Sequence, residues 1–483
     1  MNIVDLVLYQ CRQRPPAPAL CAPGSDLNVV SYARLERFIH NISRRGRALG
    51  LARGDVAAIF IRDPILHIAF ILGLSRIGVV TLSARNPNLP KELHVAAAIS
   101  ETPIVFNNAS RVIIADGSWI AGDGIALEDS HVRGGEDEYL ERIALTSGTT
   151  GEARAVGFSQ QMVLARIYHY FWVLGAAMFN CSRIFVDPGL ATAFGYFAVL
   201  YVLARGGMVI FRGLEPIETM QAFGLYKVQG VIAAPAAVAE FADYYNQAPP
   251  FASGLEAIYM GGSLLSQVLS DRIRAELCSN LNYGYGSTEA GIVAVASAKV
   301  VTSIRGAVGY VAPALAVEAA DDAGRALPAG EPGRIRIRGP LCVDGYVGDP
   351  DVSAKTFKDG WFYPGDLGAV TADRMLTILG RETAVLNVGG DKINPERIEH
   401  VLMSFPAVAQ AGVVGVTDPL GIERICAAVV WRSQAAETGL RGHCQKFLPA
   451  EFVPSRFVTV TDIARNETGK IDRKQLVKIV TGS

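Results

Sequence analysis

Over roughly its first 300 residues the chain alternates between two hydrophobic periods. Residues 31–49 carry apolar side chains at helical spacing, with arginines on the other side. Residues 55–61, DVAAIFI, read as a short strand. Helical spacing returns at 64–74 and strand character at 79–82. Further short apolar runs at 112–115, 143–145, 208–211 and 257–260 are each bounded by Gly, Pro or Asp. Strands and helices in alternation build a layered α/β domain, because each helix must cover a sheet face. At 483 residues the chain also exceeds what one core supports, since cores stop growing at about 250–300 residues.

After residue 303 the texture changes. Segments 309–317, 333–338 and 375–379 are strand-like and lie among Gly, Pro and Asp turns. In 334–338, RIRIR, Arg alternates with Ile, which predicts a strand with one wet face. These segments predict a small β-barrel subdomain within a large, multi-subdomain N-terminal α/β domain. Then follows GRETAVLNVGGDKINPERIEHVL. There Asn394 is placed to cap a helix, Pro395 to open it, and Glu396 and Glu399 to occupy its early turns. The strand-like runs 411–416, 426–431 and 457–460 complete a small C-terminal α+β domain. The expected division is 1–381 and 382–483.

Composition excludes several classes. The net charge of −1 argues against a nucleic-acid or anionic-membrane partner. The longest apolar run, 193–204, falls short of the roughly 20 residues that span a bilayer. The seven cysteines are scattered and form no C-x-x-C pair, as expected of free thiols in the cytoplasm. The N-terminus lacks a signal-peptide plan, and the seven histidines show no metal-ligand spacing. No G-x-G-x-x-G follows the first strand, which weighs against a dinucleotide-dependent oxidoreductase.

The chemistry lies in five segments. Directly after the strand 143–145 come Thr146, Ser147, Gly148, Thr149, Thr150 and Gly151. Small hydroxylated residues and glycines do not build a core. They build a loop whose N–H groups and hydroxyls converge on an anion. The others are YGYGSTEAG at 283–291, GWFYPGDLG at 360–368, GRETAVLNVGGDK at 380–392 and NETGKIDR at 466–473. In this order and spacing they resemble the signature motifs of the adenylate-forming superfamily: acyl-CoA synthetases, peptide-synthetase adenylation domains and luciferases. The chain is most similar to the acyl- and aryl-CoA ligases.

That resemblance implies a two-step reaction. A carboxylate attacks the α-phosphorus of ATP to give an acyl-adenylate and pyrophosphate; a thiol then takes the acyl group and releases AMP. The cofactors implied are ATP, Mg²⁺ and CoA, or the phosphopantetheine of a separate carrier protein. The resemblance assigns the β- and γ-phosphates to the loop 146–151 together with Arg154, and adenine stacking to Tyr285. Gly286 and Ser287 belong to the same motif. It assigns the α-phosphate to Thr288, Mg²⁺ to Glu289, and the ribose to Asp366 and Arg381. Lys470 would bridge the α-phosphate and the carboxylate. Thr383 is the implied hinge of a C-terminal domain that rotates between the steps. After that rotation Gly389 and Gly390 would line the thiol channel, with Lys392 beside them.

The carboxylate pocket implied by the resemblance is lined by Thr192, Phe194, Gly195, Tyr196, Gly261, Gly262 and Gly284. The aromatic pair and the glycines leave room for a flat ring or an acyl chain. Ala193 stands where amino-acid-activating members carry an acid, which favours an apolar or aromatic carboxylate. Three departures stand out. Arg154 replaces the usual Lys, Thr192 the usual His, and Ala464 a common Pro. The first two motivate one reading outside enzymology, a non-catalytic nucleotide- or acyl-binding relative.

Overall fold

The computed structural model describes residues 2–125, 139–146, 153–245, 254–263, 265–304, 306–382, 386–388, 391–393, 395–417, 423–433, 436–465 and 471–482. Helices begin where the sequence supplies caps. Asp63 accepts from Leu66 N at 2.8 Å, with Pro64 in the first turn of Pro64–Ser75. Ser159 accepts from Met162 N at 3.2 Å and opens the long helix Gln160–Met178.

Two large sheets make up the first part. One runs Val112–Ile114, Ala97–Ser100, Val56–Phe60, Val80–Ser83, Leu140–Thr146, Arg154–Ser159. Its first five strands are parallel and the last turns back on Leu140–Thr146. Thr146 pairs with Arg154, so the ends of the phosphate-loop candidate meet across that hairpin. The second sheet contains a parallel run of Pro18–Cys21, Met208–Ile210, Arg183–Val186, Gly230–Ala233, Ala257–Gly261 and Leu281–Ser287. Beyond Leu281–Ser287 it turns antiparallel through Gly291–Ser297, Ala307–Val311, Met375–Arg381, Asp366–Val370 and Gly333–Arg338.

The strands expected after residue 303 are therefore present, but their ladder continues the second sheet. Ala307–Val311 pairs with both Gly291–Ser297 and Met375–Arg381, which joins the β subdomain to its neighbour. From Leu386 onward the chain forms a hairpin, Leu386–Val388 with Asp391–Ile393, and a sheet of Val408–Thr417, Glu423–Trp431 and Arg456–Thr459. Among the described residues the buried apolar clusters segregate in the same way. Those of the first part end at Leu376 and those of the second begin at Leu386. All seven cysteines are free thiols. Among the described residues no helix is long and apolar enough to cross a membrane.

Candidate active site

The antiparallel hairpin of Leu281–Ser287 and Gly291–Ser297 presents Tyr285, Gly286, Ser287, Thr288 and Glu289 near its turn. A register shift between Tyr285 and Gly286 marks a bulge there, the kind of irregularity that re-aims side chains at functional edges. Ser287 Oγ accepts from Ala290 N at 3.2 Å and braces the turn. The Tyr285 hydroxyl donates to Asp366 Oδ2. Arg381 Nε lies 3.2 Å from Asp366 Oδ1. Asp366 and Arg381 are direct cross-strand partners, which explains how residues fifteen apart in sequence meet. Asp366 is only 6% exposed. Each of its oxygens keeps a second lone pair, so a vicinal diol remains within its acceptor capacity. Burial, and then the Asp366 charge, holds the Tyr285 hydroxyl protonated, well above the usual phenol range.

Glu289 is 9% exposed. Its Oε1 accepts from the Tyr346 hydroxyl at 2.9 Å. The Arg154 guanidinium lies over the Tyr346 ring, 5.3 Å from its centroid. Val347 N donates to Ala155 O at 2.8 Å, which ties this segment to the strand that starts at Arg154. Arg154 thus stands one aromatic ring away from the candidate metal carboxylate. Among the described residues no group of three His, Cys, Asp or Glu converges. A single buried carboxylate held by a hydroxyl fits a hard cation that takes its other oxygens from phosphate and water, as Mg²⁺ does.

Among the residues of the expected acyl pocket, Phe194 packs edge-on against Tyr259, with ring centroids 6.1 Å apart. The Tyr259 hydroxyl touches Gly284: a Cβ built there would lie 1.9 Å from it. Gly261 approaches Gly284 O and Phe194, and exposed Gly262 borders open space. Phe194, Gly261, Gly262 and Gly284 therefore share one region, which Tyr259 completes.

Three residues of the expected pocket have other work. Thr192 caps the helix Ala193–Ala204: its Oγ1 accepts from Gly195 N at 2.9 Å and donates to Gly189 O at 2.8 Å. Gly195 lets the helix approach its preceding loop, because a Cβ would lie 2.1 Å from Pro188 O. Tyr196 is a core residue rather than a pocket wall. Its buried hydroxyl donates to Glu141 Oε2 at 2.8 Å.

Ser147, Gly148, Thr149, Thr150, Gly151, Thr383, Gly389, Gly390 and Lys470 lie outside the described residues, and Lys392 is described only as part of Asp391–Ile393. The flanks of the Lys470 segment are fixed. Arg465 bridges Ile471, and Asp472 N donates to Ala464 O at 2.8 Å. Arg473 pairs with Glu399 at 2.7 Å. Half-buried Glu396 lies in the first turn of Pro395–Met403; burial and neighbouring Glu399 raise its carboxyl pKa, and the Asp366 and Arg381 charges also reach it. The second part of the chain thus presents a helix start to the ribose side of the site.

Sequence reasoning missed Tyr346, Tyr259 and two residues of the long helix, Arg166 and His169, and read Glu396 only as a helix-start acid. Arg166 carried a signal: it is the one charged residue in the apolar run MVLARIYHYFWVL.

A parallel sheet thus turns antiparallel at a hairpin bearing an aromatic, a hydroxyl and a buried carboxylate, with an Asp–Arg pair beside the aromatic, an arrangement suited to holding a nucleotide. Models of the AMP-binding enzyme and of the AMP-binding enzyme C-terminal domain match residues 7–347 and 397–470. The chain belongs to the AMP-binding enzyme family. It is 27% identical to a 4-coumarate–CoA ligase-like protein from Oryza sativa subsp. japonica, over 96% of this chain and 84% of the relative. It is 26% identical to a 2-succinylbenzoate–CoA ligase from Geobacillus sp., over 91% of each. Its fold matches an o-succinylbenzoate CoA synthetase from Bacillus subtilis, solved with an acyl-adenylate intermediate. The TM-score is 0.82 at 20% identity, over 98% of this chain and 97% of that one.

Proposed function

We propose that the protein is an AMP-forming acid–thiol ligase that activates an apolar or aromatic carboxylate with Mg-ATP and passes the acyl group to CoA. The observation that carries this reading is the Tyr285–Asp366–Arg381 cluster, placed one hairpin turn from Thr288 and Glu289 in a chain of this family. Tyr285 offers its ring to adenine, and Asp366 offers acceptors to the ribose hydroxyls. A carboxylate oxygen of the acid bonds to the α-phosphorus, the bond to the bridging oxygen breaks, and pyrophosphate leaves. Thr288 donates to the α-phosphate as charge grows on it. Glu289, steadied by Tyr346, holds Mg²⁺, which supplies charge neutralisation on the phosphates. Lys470 approaches from the second part of the chain and bridges the two reacting groups; a compact charge on a flexible stem suits that task. A thiolate then attacks the acyl carbon and AMP leaves. The second part rotates about Thr383 between the steps and brings Gly389, Gly390 and Lys392 to the thiol. Phe194, Tyr259 and the glycines around them favour a flat or apolar acid.

The test is carboxylate-dependent pyrophosphate release across benzoates, phenylacetates, cinnamates, fatty acids and amino acids, with and without CoA. One acid class supports release, AMP and thioester appear with CoA, and Lys470→Ala lowers the rate at least a hundredfold. Release without thioester moves the second step to a carrier-protein phosphopantetheine. ATP binding without release for any acid overturns the ligase reading in favour of a binding relative.

A further inference from the structure

The long helix Gln160–Met178 follows directly on the strand that leaves the phosphate-loop candidate. Arg166 on this helix is 1% exposed and makes no ion pair among the described residues. A buried guanidinium without a carboxylate is costly unless its protons find other acceptors. Here they find the adenylation hairpin. Nη1 donates to Thr288 O at 2.8 Å and Nη2 to Glu289 O at 2.8 Å. Nε and Nη2 donate to Leu341 O at 3.1 and 2.6 Å. Phe158 and Phe197 close over the guanidinium, with ring centroids 4.6 and 5.3 Å away. Three residues on, on the same helical face, buried His169 Nε2 donates to Ile292 O at 2.8 Å. Two adjacent side chains of one helix therefore grip both limbs of the turn that carries Thr288 and Glu289.

We propose that Arg166, seconded by His169, is a positioning residue for adenylation: it fixes the peptides from which Thr288 and Glu289 project and locks the hairpin to the helix that follows the phosphate loop. The inference rests on the roles given above to Thr288 and Glu289. A planar fork that reaches three carbonyls at once is a task for Arg and not for Lys. Burial lowers the Arg166 pKa to about 10, so the group stays cationic at neutral pH. The grip constrains the hairpin and not the acyl pocket, so nucleotide and metal parameters should move while acid binding stays.

The experiment uses the full chain with Arg166→Met, Arg166→Lys and His169→Leu. Leu35→Ala, a buried apolar residue of the helix Tyr32–Ala48, serves as a stability control. Pyrophosphate-release kinetics are measured against Mg-ATP, free Mg²⁺ and acid, with thermal midpoints alongside. Arg166→Met raises the half-saturating Mg²⁺ and the KM for ATP about tenfold or more, in line with the effect of losing an outer-shell partner. Acid KM stays within twofold, Arg166→Lys falls between, and His169→Leu shows the smaller shift of the same kind. Leu35→Ala loses thermal midpoint without these shifts. The proposal is overturned if the Arg166 variants lose midpoint as Leu35→Ala does yet keep both constants within twofold. If both Arg166 variants fail to fold, His169→Leu decides on the same criteria. If the wild type releases no pyrophosphate, the ligase reading fails separately. Calorimetric Mg-ATP binding to wild type and Arg166→Met then decides the positioning role by the same tenfold shift.

Discussion

Glu289 illustrates how little of a site a single residue carries. The carboxylate is steadied by the Tyr346 hydroxyl, and the Tyr346 ring lies under Arg154, at the position where the sequence resemblance implies a Lys. A forked guanidinium stacks on an aromatic face in a way an ammonium does poorly. Tyr346→Phe keeps the ring and removes one donor from a buried acceptor. The expected outcome is a rise of about tenfold in half-saturating Mg²⁺, the low end for an outer-shell partner, with acid KM unchanged. A Mg²⁺ titration of adenylation at fixed ATP checks it; an unchanged midpoint shows that the tyrosine only fills space. The same residues show what was legible in the sequence. Tyr285, Glu289, Asp366 and Arg381 stand inside recognisable segments, and the structure brings Tyr285, Asp366 and Arg381 into contact, with Glu289 at the turn of the Tyr285 hairpin. Tyr346 and Arg166 could not be read that way. The Tyr346 partner lies 57 residues away and the Arg166 partners 122, 123 and 175 away, and only the strand order brings them into contact.

At the scale of elements, periodicity located strands and helices but not what each face meets. The run 143–145 is part of the strand Leu140–Thr146, and 257–260 is nearly all of Ala257–Gly261. The apolar run 193–204 is a buried helix, as its length allows, yet nothing in its pattern says that Tyr196 meets an acid. That acid depends on a bulge. A register shift between Leu140 and Arg142 lets consecutive residues Glu141 and Arg142 both reach Tyr196. Glu141 accepts from Tyr196 and, at 2.6 Å, from Ser75 Oγ. Arg142 lies over the Tyr196 ring and donates to Ser83 Oγ and Leu190 O. The strand leading into the phosphate-loop candidate is thereby tied to the loop before Thr192. Tyr196→Phe leaves a buried carboxylate one donor short, which costs about 1–3 kcal/mol. Thermal unfolding of the variant checks it. Acid KM within twofold of wild type marks Tyr196 as scaffold; a large rise in acid KM with unchanged stability returns it to the pocket wall.

The whole molecule adds its buried ionisable groups into one pH response. Burial, aided by neighbouring Arg142, pushes the pKa of His67 down to about 3, and burial beside arginines takes His40 down to about 4. Burial also lowers His169 and His443. A histidine whose folded pKa is depressed contributes stability that is whole above its unfolded value of 6.5 and is lost as pH falls through the folded value. Glu141 and Glu396 act in the opposite sense. Burial raises both, so the stability they withhold at neutral pH returns on acidification. Net stability against pH therefore mixes the two signs, and the chain's separate cores make a single unfolding free energy ill-defined. The difference in proton uptake on unfolding between wild type and a His67 variant avoids both difficulties, because the contributions of the other groups cancel in the comparison. His67 bonds Ile61 O and Ser83 Oγ at 3.0 and 2.6 Å, contacts that a neutral ring satisfies with one proton. At pH 5 the unfolded chain carries a proton on His67 that the folded chain does not. Wild type should then take up about one proton more on unfolding than His67→Gln, and that single site should cost the wild type about 1.4 kcal/mol per pH unit between pH 6 and 4. Denaturant-induced pH change in weakly buffered solution measures the difference. Equal uptake by the two proteins at pH 5 would mean that His67 titrates normally, and that the polar cluster joining Arg142, Ser83 and His67 opens to water well before the fold is lost.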